Sequence, residues 1–114
     1  LRYRAIPTFM LIQEGELYFC LEERKVSVRG KKVDLSAREF NTLYLLLMNR
    51  KRVMTFEIIA YHVWGEEYVE NGLTAIHNIM SRLRKRLKIS SDIPDYIISV
   101  RGVGYKFDTI QQKK

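Results

Sequence analysis

Asn78 and Arg82 stand four residues apart in a stretch, residues 74–88, that holds five basic side chains and no acid. On a helix the two share a face. An α-helix fits the major groove of B-form DNA, where Arg reads guanine and Asn reads adenine through paired hydrogen bonds. Arg84, Arg86 and Lys88 flank that face and suit phosphates or solvent. Arg101 heads Arg101-Gly102-Val103, a turn from which a guanidinium can enter an adjacent minor groove. Trp64 has two readings, core residue or a single indole donor for a phosphate.

Other chemistries lack their parts. His62 and His77 fall in separate helical segments with no cysteine or carboxylate at metal-ligand spacing. Gly102-Val103-Gly104 lacks the third glycine and following helix of a dinucleotide site, and a hairpin turn explains it better. There is no GKS or GKT phosphate loop and no nucleophile elbow. The adjacent acids Glu22-Glu23 and Glu66-Glu67 lie in polar turns, where carboxylates are ordinarily solvated. The expectation is a binding module: no enzyme, no cofactor, no metal.

Composition agrees. The 114 residues suit one domain, with 46% hydrophobic residues, too many for a disordered tail. The longest apolar run, residues 43–48, is far short of the roughly 20 that span a bilayer. Cys20 is the one cysteine, so no internal disulfide forms, which fits a cytoplasmic location. The formal charge is +7. Residues 1–70 hold 11 basic and 10 acidic side chains, whereas residues 71–114 hold 9 and 3. The surplus therefore sits in the C-terminal third, as a polyanion-binding face requires.

The elements follow from hydrophobic period. Leu17, Phe19 and Leu21 alternate with Tyr18, Cys20 and Glu22; Val26 and Val28 follow, then Val33 and Leu35 beyond a Gly30-Lys31 turn. These predict three or four short antiparallel strands. Ser36-Ala37-Arg38-Glu39 is a capping box opening a helix with Phe40, Leu43, Tyr44 and Leu47 inward and ending near Asn49. Arg50, Lys51 and Arg52 then complement its negative end. Val53 and Met54 suggest a short strand, and Thr55 caps a second helix that Gly65 stops. In the third helix Leu73, Ile76, Met80, Leu83 and Leu87 form the predicted core stripe, opposite Thr74, Asn78, Ser81, Arg82 and Lys85. Residues 96–100 and 104–107 read as a hairpin. A basic amphipathic helix also suits anionic membranes, but this stripe lacks aromatic anchors, and no membrane partner is expected.

Four motifs in this order resemble a family. They are Leu35-Ser36-Ala37-Arg38-Glu39-Phe40, Val63-Trp64-Gly65, Ser81-Arg82-Leu83-Arg84-Lys85-Arg86-Leu87 and Val100-Arg101-Gly102-Val103-Gly104-Tyr105-Lys106-Phe107. The chain is similar, over residues 16–108, to the OmpR/PhoB-type winged-helix effector domain of bacterial two-component response regulators. The resemblance implies an α+β fold, a winged helix-turn-helix with an N-terminal antiparallel sheet, three helices and a C-terminal β-hairpin wing. It makes Thr74, Ala75, His77, Asn78 and Arg82 candidate base or groove contacts. Trp64, Ser81, Arg84 and Ser99 become candidate phosphate contacts, with Lys85 of the outward face beside them, and Arg101 the minor-groove contact of the wing. The loop of Glu66, Glu67, Tyr68, Val69, Glu70, Asn71 and Gly72 resembles the family segment that touches RNA polymerase. His77 stands where the family usually has an acid, Asn78 where it is commonly apolar, and Phe56 where a phosphate-binding arginine is frequent.

Residues 1–15 look like the end of a receiver domain or a linker running into the first strand, and residues 109–114 like a tail. By the same resemblance the partners are double-stranded DNA with tandem half-sites, RNA polymerase, a second copy joined through a receiver domain, and a histidine kinase acting on that receiver. A winged helix that binds proteins instead of DNA is the alternative.

Overall fold

Two sheets bracket three helices in the computed structural model, which describes residues 11–65 and 72–108. Strands β1 (Leu11–Glu14), β2 (Leu17–Cys20), β3 (Lys25–Val28) and β4 (Lys31–Val33) form an antiparallel meander in chain order. Leu17 pairs with Val28, and Phe19 with Val26; all four are buried. The alternation expected through Leu21 stops earlier than the sequence suggests. Cys20 is buried and Leu21 only half-buried, because the chain turns after Cys20, with Arg24 N–H donating to the Leu21 carbonyl at 3.1 Å.

The β3–β4 turn has positive φ at both central residues, +52° at Arg29 and +79° at Gly30, the signature of a type I′ hairpin. Glycine adopts this freely and arginine does not. Ion pairs hold Arg29 there, to Glu16 at 2.5 Å and to Asp92 at 3.2 Å. Asp92 follows the third helix, so this cluster ties the N-terminal sheet to the far end of the chain.

Helix α1 (Ala37–Met48) opens on the expected capping box: Glu39 N–H donates to Ser36 Oγ at 3.1 Å and Ser36 N–H to Glu39 Oε1 at 3.0 Å. Its apolar face meets the first sheet, with the Phe19 and Phe40 rings stacked 4.7 Å apart. At the other end Arg50 donates to the Leu47 carbonyl at 3.1 Å and pairs with Glu14 at 2.7 Å, satisfying an orphan carbonyl. Strand β5 (Met54–Thr55) leads into α2 (Phe56–Trp64), capped by the Thr55 hydroxyl accepting from Ile58 N–H at 3.2 Å. The helix stops at Gly65, whose φ is +65°. Helix α3 (Gly72–Leu87) packs on α1 and α2, and β6 (Ile97–Val100) and β7 (Gly104–Phe107) complete a second sheet in the order β5-β7-β6.

The third-helix stripe needs two corrections. Leu73, expected inside, is 44% exposed, and Ile79 is buried instead. Leu73 lies in the first turn, where it lines the cleft toward the wing, while the core is served by Ile76, Ile79, Met80, Leu83 and Leu87. Gly72, assigned to the preceding loop, is the buried first residue of α3. Glu66 through Asn71, the first ten residues of the segment expected at 1–15 and the tail at 109–114 lie outside the described residues.

Two tests follow from this packing. A Cβ built on Gly104 would sit 1.9 Å from the Met54 carbonyl oxygen, so β5 and β7 approach as only glycine permits. Gly104→Ala is expected to cost about 3 kcal/mol or more in urea unfolding, because a backbone clash relaxes poorly. The Arg29 cluster titrates: its guanidinium holds Glu16 below the usual carboxylate range, and Ser90 and Arg29 hold Asp92 at about 2. Carboxylates depressed in the folded state stabilise it above their unfolded pKa and lose that effect as pH falls through the folded value. The difference in urea midpoint between the unsubstituted chain and Asp92→Asn is therefore expected in full at pH 7 and should shrink steadily as pH falls from about 4 to 2.

Candidate nucleic-acid interface

Helix α3 turns one face to the core and leaves the other open. Thr74, His77, Asn78, Ser81, Arg82 and Lys85 are exposed and Ala75 is half-exposed. Arg84, Lys85 and Arg86 occupy its last turn, where cations oppose the negative end of the helix dipole. The candidate base contacts are thus assembled on one exposed surface.

The cations of that helix are mostly held by the fold. Glu39 of α1, only 2% exposed, sets its carboxylate under α3: Arg82 Nε pairs with Oε2 at 3.2 Å and Arg86 Nε with Oε1 at 3.0 Å. One carboxylate thereby caps α1 and binds two arginines of another helix. The Arg82 side chain stays 54% exposed, and its terminal nitrogens have no partner among the described residues. Arg84 reaches the other way, donating from Nε to the Ile97 carbonyl at 3.0 Å and from Nη2 to Ser99 Oγ at 2.8 Å, with its guanidinium 5.5 Å from the Tyr105 ring centroid. Two candidate phosphate contacts, Arg84 and Ser99, are therefore bonded to each other. Lys88 pairs with Asp95 at 3.0 Å. Lys85 has no partner among the described residues, and the same holds for Arg101.

The wing is fastened to the helices. Phe56 N–H donates to the Val103 carbonyl at 3.0 Å and Val103 N–H to the Val100 carbonyl at 2.9 Å, which leaves Arg101 exposed at the tip. Between wing and α3 runs a cleft of about 490 Å³, with Phe56, Leu73, His77, Arg101 and Tyr105 on its walls. His77 Nδ1 is hydrogen-bonded to the Tyr105 hydroxyl, and Phe56 packs edge-on against both rings. Burial raises the Tyr105 pKa, keeping its phenol protonated.

Trp64 is half-buried against the core, with the Arg38 guanidinium 5.6 Å from its ring centroid. Its indole N–H has no partner among the described residues, so the packed ring still leaves a donor available. His62 is exposed and meets only the edge of Tyr61, away from His77. Among the described residues no three His, Cys, Asp or Glu side chains gather as a metal site, and no helix is long and apolar enough to cross a membrane.

Sequence reasoning missed the second role of Glu39 and the partner of His77. Capping was legible from the S-x-x-E spacing, but Glu39 and Arg82 are 43 residues apart, and only the packing of α1 on α3 brings them together.

A helix presenting an acid-free face beside a three-stranded wing defines a winged-helix module of the kind that docks on nucleic acid. Residues 30–107 match the family described as "Transcriptional regulatory protein, C terminal". The sensory transduction protein RegX3 of Mycobacterium leprae is 33% identical over 100 residues, covering 87% of this chain and 50% of that protein. The response regulator DrrB of Thermotoga maritima, an OmpR/PhoB homolog, superposes with a TM-score of 0.76 at 30% identity, covering 86% of this chain and 44% of DrrB. The RstA DNA-binding domain of Klebsiella pneumoniae, solved in complex with the RstA box, gives 0.74 at 27% identity, covering 88% and 98%. The chain belongs to this family and is a winged-helix effector domain of the OmpR/PhoB type. It spans half or less of the length of the curated relatives it matches first.

The Glu39 cluster is asymmetric, and stability measurements should reveal it. Glu39→Gln keeps a capping side chain and removes the buried charge, so a loss of only about 1 kcal/mol is expected. Arg82→Ala with Arg86→Ala strands the carboxylate and should cost about 3–5 kcal/mol. Equal losses in urea titrations would mean that Glu39 is solvated and not clamped.

Proposed function

We propose that this chain binds a specific double-stranded DNA sequence to regulate transcription, with α3 in the major groove and the wing in the adjacent minor groove. The observation that carries this is the open face of α3, where Asn78 and Arg82 stand exposed side by side with no acid on the helix. Arg82, held at Nε by Glu39, presents its remaining N–H donors outward, which suits the paired acceptors of guanine. Asn78 suits adenine. Thr74, Ala75 and His77 complete the groove-facing set. Trp64, Ser81, Lys85 and the Arg84–Ser99 pair lie toward phosphates, where they fix register without reading sequence.

In this reading the chain is the effector half of a two-component response regulator. A receiver domain ahead of residues 1–15, phosphorylated by a histidine kinase, brings two copies together on tandem half-sites. The segment from Glu66 to Asn71 meets RNA polymerase. The work is done in the cytoplasm, by binding without a catalytic step. The RstA domain, solved in complex with the RstA box, supports DNA as the ligand.

Selection from random duplexes followed by fluorescence anisotropy tests it. Arg82→Ala is expected to lose about 1–3 kcal/mol on the selected site and to relax discrimination at one base pair. Arg101→Ala should weaken binding on all duplexes and lower the salt slope by about one. No enriched sequence, with no salt-sensitive retention on a generic duplex, would overturn the proposal in favour of a protein-binding module.

A further inference from the structure

A line of hydrogen bonds runs from Arg84 to His77, and its direction is fixed at the start. A guanidinium donates and never accepts. Arg84 Nη2 donates to Ser99 Oγ at 2.8 Å. Ser99 stands directly opposite Tyr105 in the β6–β7 ladder, which brings its hydroxyl within reach of the phenol oxygen. The serine oxygen keeps a second lone pair, so the order is set by the protons: with Ser99 donating to Tyr105 both hydroxyl protons find acceptors, whereas the reverse order leaves the Ser99 proton with none among the described residues. The phenol proton then has His77 Nδ1 as its acceptor. A neutral imidazole that accepts at Nδ1 carries its own proton on Nε2. Nε2 has no partner among the described residues, while His77 is exposed on the same face as Asn78. Phe56, edge-on at 75° with its ring centroid 5.6 Å away, packs against the imidazole and limits its rotation.

We infer that His77 is a specificity-determining residue, held by Tyr105 as the Nε2–H tautomer and so presented to the major groove as a hydrogen-bond donor. The inference rests on the placement of α3 in the groove. A fixed donor selects bases by their acceptors. Guanine offers two, O6 and N7, whereas cytosine offers only an N4 donor. His77 therefore favours guanine and rejects cytosine at one position of the site. Tyr105, buried and one layer behind, is a positioning residue that acts through the imidazole.

Two measurements test this on the 114-residue chain. Long-range ¹H–¹⁵N NMR at pH 8 should show His77 protonated at Nε2, and Tyr105→Phe should mix the two tautomers. A dominant Nδ1–H form would overturn the inference. Site selection from random duplexes should then give guanine at one position for the unsubstituted chain. His77→Asp replaces a donor with an acceptor on an exposed position, so it should turn that preference toward cytosine or adenine by about tenfold, some 1.4 kcal/mol. Tyr105→Phe, shown folded by thermal melting, should broaden that position alone. An unchanged preference in His77→Asp would overturn the role of His77 and leave DNA binding standing. No selected site for the unsubstituted chain would overturn the groove placement and this inference with it.

Discussion

A single buried carboxylate organises the exposed face of α3. Glu39 sits between two helices with almost no access to water, and an unpaired charge there would be costly. Its oxygens are satisfied by the Ser36 N–H and by the Nε–H groups of Arg82 and Arg86. The demand runs both ways. The carboxylate needs those arginines, and the arginines are thereby denied most of their rotamers before any ligand arrives. Side chains ordered in advance lose less entropy on binding. A requirement of the core thus becomes preorganisation at the surface.

The wing side of α3 is arranged on the same principle. Arg84 joins the last turn of the helix to β6, and Tyr105 of β7 meets His77 one turn from the helix start. Phe56 N–H bonded to Val103 adds a third fastening, from α2 to the wing turn. Helix and wing are therefore parts of one rigid body, and the spacing between the exposed face of α3 and the wing tip is set by protein geometry.

Most of the fold was legible because it is written in local chemistry. Ser36 with Glu39, Thr55 before an apolar helix and Gly65 after it announced helix ends through capping, which is settled within four residues. The β6–β7 hairpin was equally plain from Gly102 and Gly104. The misreadings came where tertiary packing decides. Leu73 fits the 3.6-residue period as well as Ile79 does, but its turn of α3 projects past the core toward the wing, so periodicity alone could not rank the two. The outward face of α3 was legible in its membership, from Thr74 to Lys85, and illegible in its electrostatics. Nothing near Arg82 in the chain reveals that Glu39 lies against it, and nothing near His77 reveals Tyr105.

The pairing of the α3 arginines also changes how the formal charge of +7 should be understood. Arg82, Arg86 and Lys88 already sit beside carboxylates, so on the DNA-binding reading proposed above fewer mobile cations condensed on a polyphosphate are freed when this helix docks than the composition suggests. The thermodynamic pull of counterion release is correspondingly modest. Affinity then leans on shape and hydrogen bonding, which tolerate changes in ionic strength better than bare Coulombic attraction does.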